Sequence, residues 1–530
     1  MFNDAQIEAI NCADKRILCL AAAGSGKTSV LIAKVSKIAK ETFQPASILV
    51  LTFTNAAAQE MRSRYAKDNP ETGEKPFFGT FHSFCYRMIS TDLAVRGLLG
   101  YKSVPSVATD AQLKKLHKQC KNLLGTKLSD EKLMSKNTGF LSKKDKFDYD
   151  LYWKKYNQML RESNLITFDI MCYEVAKLFS ENNSAADRYK SKYRHIFVDE
   201  FQDTDKKQFD FVKSFTDSNI FVVGDPRQAI YRFRGADSEI IKSLSENPDW
   251  TTIKLVENYR STEQICAVAN KTHDKIWGNS PYNLKLHANK TGSPVRYKNI
   301  ELCPESDAIL SILEGSSDGD SIAVLCRTNR EVSAMTSLLA QYKVPYVTNH
   351  DADYDLHILK CAMDKQYAVE WLSSQLLADD YNEYLRLCSI DPELESDYDS
   401  FIRIFGRKLS KFTDKIKNIS DIMTSDAPAP DKLDLILMIL DKKMKTPKCV
   451  ESNDDILDFL TDPISQNVKG EIYVGTIHSV KGLEYTRVHL MGVDSPSFRL
   501  YGEDNLNLYY VGITRAKEHL TIWEGDLFDS

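Results

Sequence analysis

What this 530-residue sequence has little of narrows its class first. Its 11 cysteines are odd in number and form neither a CxxC nor a Cys/His cluster with metal-ligand spacing, which speaks against a disulfide framework and a structural zinc site. No apolar run approaches the ~20 residues of a membrane span. The opening MFNDAQIEAINCADKR has acids and polar residues where a secretory leader needs a basic and then an apolar stretch. A reduced compartment, the cytoplasm, is therefore the expected location, and no membrane partner is expected. With only 22 Gly and 16 Pro, collagen-like and low-complexity classes are excluded. There is no large excess of charge of either sign, since 69 Lys plus Arg stand against 74 Asp plus Glu for a net −5. Any polyanionic partner must then be held by a local track rather than a global field. No repeat of solenoid period is visible.

What is present reads as a soluble α/β chain, long enough for two large domains. Short apolar runs recur with helical stretches between them: ILCLAAA (17–23), SILVLTF (47–53), HIFVDEF (195–201), NIFVVGD (219–225), SIAVLCR (321–327) and HLMGV (489–493). Parallel strands covered by helices on both faces lose polar alternation and read this way. Between Phe84 and about Tyr193 such runs disappear, predicting a mostly helical insertion. A second one is expected from about Asp351 to Val468, with helical candidates AVEWLSSQLLADDYNEYLRL and DKLDLILMILDKKM around the loop SDAPAP.

AAAGSGKT (21–28) follows an apolar run and precedes the helical pattern SVLIAKVSKIAK, the strand, loop and helix context of a phosphate loop. Main-chain N–H groups around Ala23, Gly24, Ser25, Gly26 and Lys27 can point at the phosphates of ATP; Lys27 can reach the β and γ oxygens and Thr28 can ligate Mg²⁺. In HIFVDEFQDT a strand end delivers Asp199 and Glu200 side by side. Their side chains point in different directions, so Asp199 suits the metal and Glu200 suits the attacking water as base. Arg260 in LVENYRST and Arg515 in YYVGITRAK are candidate cations for the γ-phosphate charge. For either arginine alone a surface ion pair is the blander reading. A nucleotide in a cleft between the two halves would draw those arginines in and let them part on hydrolysis.

These segments in this order resemble the UvrD/Rep/PcrA branch of superfamily-one helicases. The likeness is carried by FNDAQIEAI, AAAGSGKT, LTFTNAAAQEM, GTFHSFC, VDEFQDTDKKQ, VVGDPRQAIYRFRGAD, LVENYRSTEQI, IAVLCRTNR, YVGTIHSVKGLEY and LYYVGITRAK. It implies two RecA-like parallel-sheet motor domains, each with a mainly helical insertion: 1–95 and 165–250 with insertion 96–164, then 251–350 and 469–530 with a shortened insertion 351–468. It further implies that Gln6 reads adenine, Tyr259 stacks on it, Gln228 senses the γ-phosphate, Glu484 contacts the ribose, and Arg260 and Arg515 are the arginine fingers. For single-stranded DNA it implies Thr52, Phe53, Asn55, Thr80, His82, Ser83, Tyr231, Phe233, Thr476 and His478. Aromatic faces stack on bases without regard to sequence while hydroxyls and amides hold phosphates, so a strand can be gripped and still slide.

The sequence departs from the family pattern at Ala22, Ser29, Ala56 and Phe233, where Gly, a basic residue, Lys and Trp are usual, and EDNLN lacks the arginines expected before LYYVGITRAK. The second insertion lacks a glycine-rich signature, and the sequence runs only 13 residues past Lys517, without a nuclease or partner-binding tail. In outline this resembles compact members such as the helicase-like subunit of Gabija-type defence systems, or phage-encoded relatives. The residues 111–150 hold ten Lys against five acids, either a track for DNA phosphates or a solvated helical face. Lys408, Lys411, Lys415 and Lys417 pose the same question. The expectation is an ATP-driven translocase and helicase on single-stranded DNA and its junctions, moving 3′ to 5′ as the resemblance implies. The alternative is a DNA-stimulated ATPase that licenses a partner nuclease without processive unwinding.

Overall fold

The computed structural model describes residues 2–70, 74–108, 110–134, 142–181, 184–314, 320–348, 397–425, 427–439 and 472–526, with scattered helical positions between 358 and 372. The candidate AVEWLSSQLLADDYNEYLRL falls almost wholly outside the described residues, and of DKLDLILMILDKKM the part through Ile439 lies in the helix Ala429–Ile439.

Two units are present, Met1–Tyr259 with His273–His287, and Arg260–Thr272 with Ala288–Ser530. The first is built on six strands: β1 (Arg16–Ala21), β2 (Ile48–Thr52), β3 (Phe77–Thr80), β4 (His195–Val198), β5 (Asn219–Gly224) and β6 (Thr251–Leu255). Their order across the sheet is β3-β2-β4-β5-β1-β6, and every pairing is parallel. In β1, Ile17, Cys19 and Ala21 join one core with Val30, Leu31 and Val35 of the helix Lys27–Thr42, while Leu18 and Leu20 between them are equally buried. That burial on both faces is why the apolar runs showed no alternation. Because all six strands run the same way, their carboxyl ends share one edge, where ligands of such sheets bind.

The second unit repeats the plan with β7 (Arg296–Asn299), β8 (Ile322–Cys326), β9 (Tyr346–Thr348), β10 (Ile472–Thr476), β11 (Tyr485–Val493) and β12 (Ala516–Glu524), ordered β7-β12-β11-β8-β10-β9 and again parallel throughout. The mixed α/β class with two parallel sheets is thus present.

Two details differ from the sequence reading. The expected start of the second domain at 251 falls inside the first sheet, because β6 pairs with β1 in register Cys19↔Ile253. The chain passes to the second unit between Tyr259 and Arg260, returns for His273–His287 and leaves again. The β-rich run TTIKL shows its sheet but not which sheet. The first insertion is mostly helical, with a core of Leu116, Cys120, Tyr152, Tyr156 and Leu160, yet it also holds a two-residue parallel pairing of Ser106–Val107 with Leu165–Ile166, too short to register as an apolar run. In the second insertion Phe401, Phe405, Ile416, Ile419, Leu433 and Ile436 form a separate core.

Candidate functional site

Three strand ends of the first sheet carry the chemistry. After β1, Gly24 and Gly26 take φ of 70° and 79°, left-handed values that suit glycine. The helix Lys27–Thr42 then begins at Gly26 with no side-chain cap, so its first N–H groups face outward. Ser25 is 1% exposed and its hydroxyl has no protein partner among the described residues, as fits a group waiting for a ligand oxygen. The loop is held from outside: Gln6 Nε2 donates to the Ser25 carbonyl at 3.0 Å, Asn258 Nδ2 to the Ala23 carbonyl at 2.7 Å, and the Tyr259 N–H to the Gly24 carbonyl at 2.9 Å. Asn3 caps the helix Asp4–Asn11 in a reciprocal box with Gln6 and donates to the Tyr259 hydroxyl at 2.8 Å. Gln6 and Tyr259 therefore flank the loop together, and the Tyr259 ring is half exposed, a face open to a flat base.

After β4, Asp199 is buried and its Oδ2 accepts from the Thr28 hydroxyl at 3.5 Å. Burial, and then the neighbouring Glu200 charge, push the Asp199 carboxyl up to about 7 against the opposing pull of Lys27. A divalent cation between Thr28 and Asp199 would offset that penalty, so the donor set of one hydroxyl and one buried carboxylate fits Mg²⁺. Glu200 sits at φ 49°, a left-handed conformation rare for a residue with a side chain. Its carboxylate lies 3.6 Å from Lys27 Nζ and accepts a short hydrogen bond from Gln202 Nε2.

After β5, Asp225 and Arg227 form a fully buried ion pair, with Nε of Arg227 3.1 Å from Oδ1 of Asp225. Burial acts to raise the Asp225 carboxyl, but Arg227 and the bond from Gln228 outweigh it and hold it low. Gln228 Nε2 donates to Asp225 at 3.1 Å, and Gln228 Oε1 accepts from Lys27 Nζ at 3.2 Å. One chain of contacts thus runs Arg227, Asp225, Gln228, Lys27, Glu200 and Gln202, and Gln202 Oε1 closes it by accepting from the Asp225 N–H at 3.1 Å. The sequence alone gives Gln202, Asp225 and Arg227 no role; their one signal is position, shortly after two strand ends.

The ends of β2 and β3 open on a groove of about 1130 Å³. Thr52, Phe53, Asn55, Thr80, His82 and Ser83 all line it. The Thr52 hydroxyl is buried there without a protein partner among the described residues. Thr80 is occupied as the cap of the helix Phe81–Thr91, accepting from the Ser83 N–H at 3.1 Å. Phe53 and Tyr231 stack at 4.8 Å and 17°, and Phe233 follows at 6.2 Å from Tyr231 and 72% exposed. Phe233 is therefore no core residue. Tyr86, Tyr149, Phe168 and Cys172 also line the groove, and sequence reasoning missed them because they come from the helical insertion and its flanks.

The second unit holds the other candidates. Arg260 Nε donates to Glu484 at 2.7 Å, and Lys517 Nζ lies 2.7 Å from the other Glu484 oxygen, so the two cations hold Glu484 low against the partial desolvation of its carboxyl. Arg515 is 2% exposed and donates to the carbonyls of Val511 and Leu483. Thr476 and His478 lie at the end of β10 and in the turn that follows.

Comparison with known proteins decides the family. Residues 2–249 match the UvrD/REP helicase N-terminal domain, and residues 253–354 and 371–524 match the UvrD-like helicase C-terminal domain. The chain belongs to the UvrD-like superfamily-one helicases. It is 27% identical over 607 aligned positions to the ATP-dependent DNA helicase PcrA of Staphylococcus epidermidis, covering 98% of this chain and 83% of that protein. The Staphylococcus aureus PcrA is 26% identical over 98% of this chain and 82% of its own length. A probable DNA helicase II homolog of Mycoplasma capricolum is 29% identical over 378 residues, 65% of this chain, which spans only 51% of that protein. Among the described residues no helix is long and apolar enough to cross a membrane.

Proposed function

We propose that this UvrD-like chain is an ATP-driven motor on single-stranded DNA, moving 3′ to 5′ in the cytoplasm and separating strands at single/double-strand junctions. The observation that carries the reading is that one sheet edge bears both halves of the machine. The phosphate loop and the Lys27, Asp199, Glu200 and Gln228 set end β1, β4 and β5, while Thr52, Phe53, Thr80 and His82 end β2 and β3 in the groove.

In the proposed reaction the loop N–H groups and Lys27 hold the β and γ phosphates of ATP, with Gln6 and Tyr259 at the adenine. Thr28 and Asp199 hold Mg²⁺, which when bound supplies charge for the phosphate oxygens. Glu200, fixed by Gln202 and Lys27, takes the proton of the attacking water. Gln228 contacts Lys27 on one side and buried Asp225 on the other, so a change at the γ-phosphate reaches the segment leading to Tyr231 and Phe233. Arg260 and Arg515 are the cations proposed to meet the transferring phosphoryl group, which requires Arg260 to leave Glu484 or share it. Thr476 and His478 are the proposed DNA contacts of the second unit.

Strand displacement on 3′-tailed, 5′-tailed and blunt duplexes, run beside single-strand-stimulated ATPase, tests this. Unwinding of the 3′-tailed duplex alone is expected. ATPase stimulation with no displaced strand would shift the reading to a sensor or regulatory subunit of a nuclease, as in Gabija-type defence. A purified Glu200→Gln protein with undiminished turnover would remove Glu200 from the mechanism.

A further inference from the structure

Lys34 is a buried charge for which the motor reading has no task. It lies on the helix Lys27–Thr42, about two turns beyond Lys27, and is 4% exposed. Its ammonium stands over the Phe221 ring of β5, 5.4 Å from the centre, and donates to the carbonyls of Ala9 at 3.0 Å, Ile10 at 3.2 Å and Cys12 at 2.6 Å. Those carbonyls close the helix Asp4–Asn11, whose cap residue is Cys12 and whose last turn holds no basic residue of its own. The last carbonyls of a helix lack partners within it and form its negative end, so a cation there satisfies and neutralises them. An ammonium has three hydrogens, and three carbonyls take them. Lys34 therefore offers nothing to an anion in the cavity of about 190 Å³ that it lines with Asn11, Cys12 and His195. Burial draws Lys34 down to about 8, which leaves it mostly charged at pH 7. An apolar side chain of similar length would fill the same space without that desolvation.

Gln6 sits on the same short helix. Its Nε2 donates to the Ser25 carbonyl of the phosphate loop at 3.0 Å, and its Oε1 accepts from the Asn3 N–H at 2.9 Å. The amide has two hydrogens and two lone pairs, so one of each remains for a base edge. Adenine presents a donor beside an acceptor and suits that pair, whereas guanine presents two acceptors. Discrimination then depends on where the amide stands. Ala9 packs in the core between the two helices, but apolar contact is non-directional and does not set a register. The directed bonds do: Gln6 to Ser25 near one end of the helix Asp4–Asn11, and Lys34 to its carbonyls at the other.

We propose that Lys34 is a positioning residue for base recognition: by holding the carboxyl end of the helix Asp4–Asn11 it sets Gln6 at the adenine and makes the motor prefer ATP to GTP. The inference rests on the proposed adenine role of Gln6.

The test measures DNA-stimulated turnover of ATP and GTP by the full chain at pH 7 and compares kcat/KM for the two. Gln6→Ala should cut the ATP preference at least about fivefold, the lower end of what a bidentate amide–base pair discriminates. Lys34→Met keeps the apolar stem and deletes the ammonium. It should cut the preference by a similar factor through the KM for ATP, with kcat and the KM for GTP nearly unchanged. In the Gln6→Ala background Lys34→Met should change the ratio no further, because Lys34 acts through Gln6. A merely structural lysine would shift both nucleotides together or add its loss to that of Gln6, and either result overturns the proposal. Should Lys34→Met not fold, Lys34→Gln, shorter and uncharged, takes its place under the same expectation. An intact ATP preference in the folded Lys34 variant, with the preference lost in Gln6→Ala, removes Lys34 and leaves Gln6. No ATP preference in the wild type, or none lost in Gln6→Ala, overturns the adenine role of Gln6 and the route through Lys34 with it.

Discussion

In the first unit the turn after β1 enters its helix through Gly26 and leaves the first N–H groups uncapped; in the second, the corresponding turn after β8 enters Asn329–Gln341 through a capping box of Thr328 and Glu331. Glu331 is buried, and its Oε2 accepts from the N–H groups of Arg327 at 2.9 Å and Thr328 at 2.8 Å while Ser497 donates to its other oxygen. A helix N-terminus presents roughly half a positive charge. In one sheet that potential is left for a ligand anion, and in the other the protein's own carboxylate consumes it. The same strand, turn and helix therefore yield a phosphate site once and a structural joint once, and the short runs GSGKT and TNRE decide which.

The largest expected effect breaks the open end. Lys27→Ala should lower DNA-stimulated ATP turnover at least about a hundredfold, the scale for losing one preorganised cation or donor. Circular dichroism melting should move little, since Lys27 is the first residue of its helix and its nitrogen's hydrogen-bond and ion-pair partners among the described residues are the site residues Gln228 and Glu200. The mirror experiment is Glu331→Ala, which strands two partly buried N–H groups. It should cost about 1–3 kcal/mol, read as a lower melting temperature of roughly 2–4 °C per kcal/mol, while ATP turnover per folded molecule stays unchanged. A Glu331→Ala protein of normal stability and lost ATPase would invert the assignment of the two ends.

The units should also differ towards acid. His489 is fully enclosed in β11, accepts from Trp523 Nε1 at 3.3 Å, and is pushed down to about 3 by burial and then by Arg487. Its folded value lies below the unfolded one, so the unfolded chain binds the proton more readily and stability falls as pH drops below about 6.5. Between pH 7 and 5.5 the loss should be about 1 kcal/mol. His489→Gln keeps an acceptor for Trp523 and should flatten the melting temperature against pH. His195 in the first sheet is also lowered by burial, but it opens β4 only partly buried, so His195→Gln should change the slope less.

How legible each part was follows from how local its cause is. The phosphate loop, Asp199 and Glu200 could be read directly because strand, glycine turn and helix are consecutive in the chain. Six strands showed as apolar runs because parallel sheets bury both faces, whereas β6, TTIKL, alternates with exposed Lys254, and nothing in it tells that it pairs with β1. The Asp225–Arg227 pair stood in plain sight in VVGDPRQ, yet its role depends on Gln202 and Lys27 arriving from other strand ends. Cys172 and Phe168 were invisible as groove residues because only packing against Phe81–Thr91 brings them there. The pairing of Arg260 with Glu484 spans more than two hundred positions and has no local signature, and Lys517 joins it from β12.

The smallest effect concerns what keeps the open end open. Lacking its own cap, the loop is braced by Gln6, Asn258 and Tyr259, and the Tyr259 hydroxyl is tied back to Asn3. Tyr259→Phe keeps the ring face for adenine and deletes only that tie, a half-exposed hydrogen bond worth about 0.5–1 kcal/mol. The KM for ATP should then rise two- to fivefold with kcat unchanged, because the brace positions ground state and transition state alike. If kcat falls instead, the tie acts on the chemical step. The chain first leaves the first unit between Tyr259 and Arg260, so a kcat effect would tie that crossing to the chemistry of the nucleotide site, and a pure KM effect would leave Tyr259 as a brace of the loop alone.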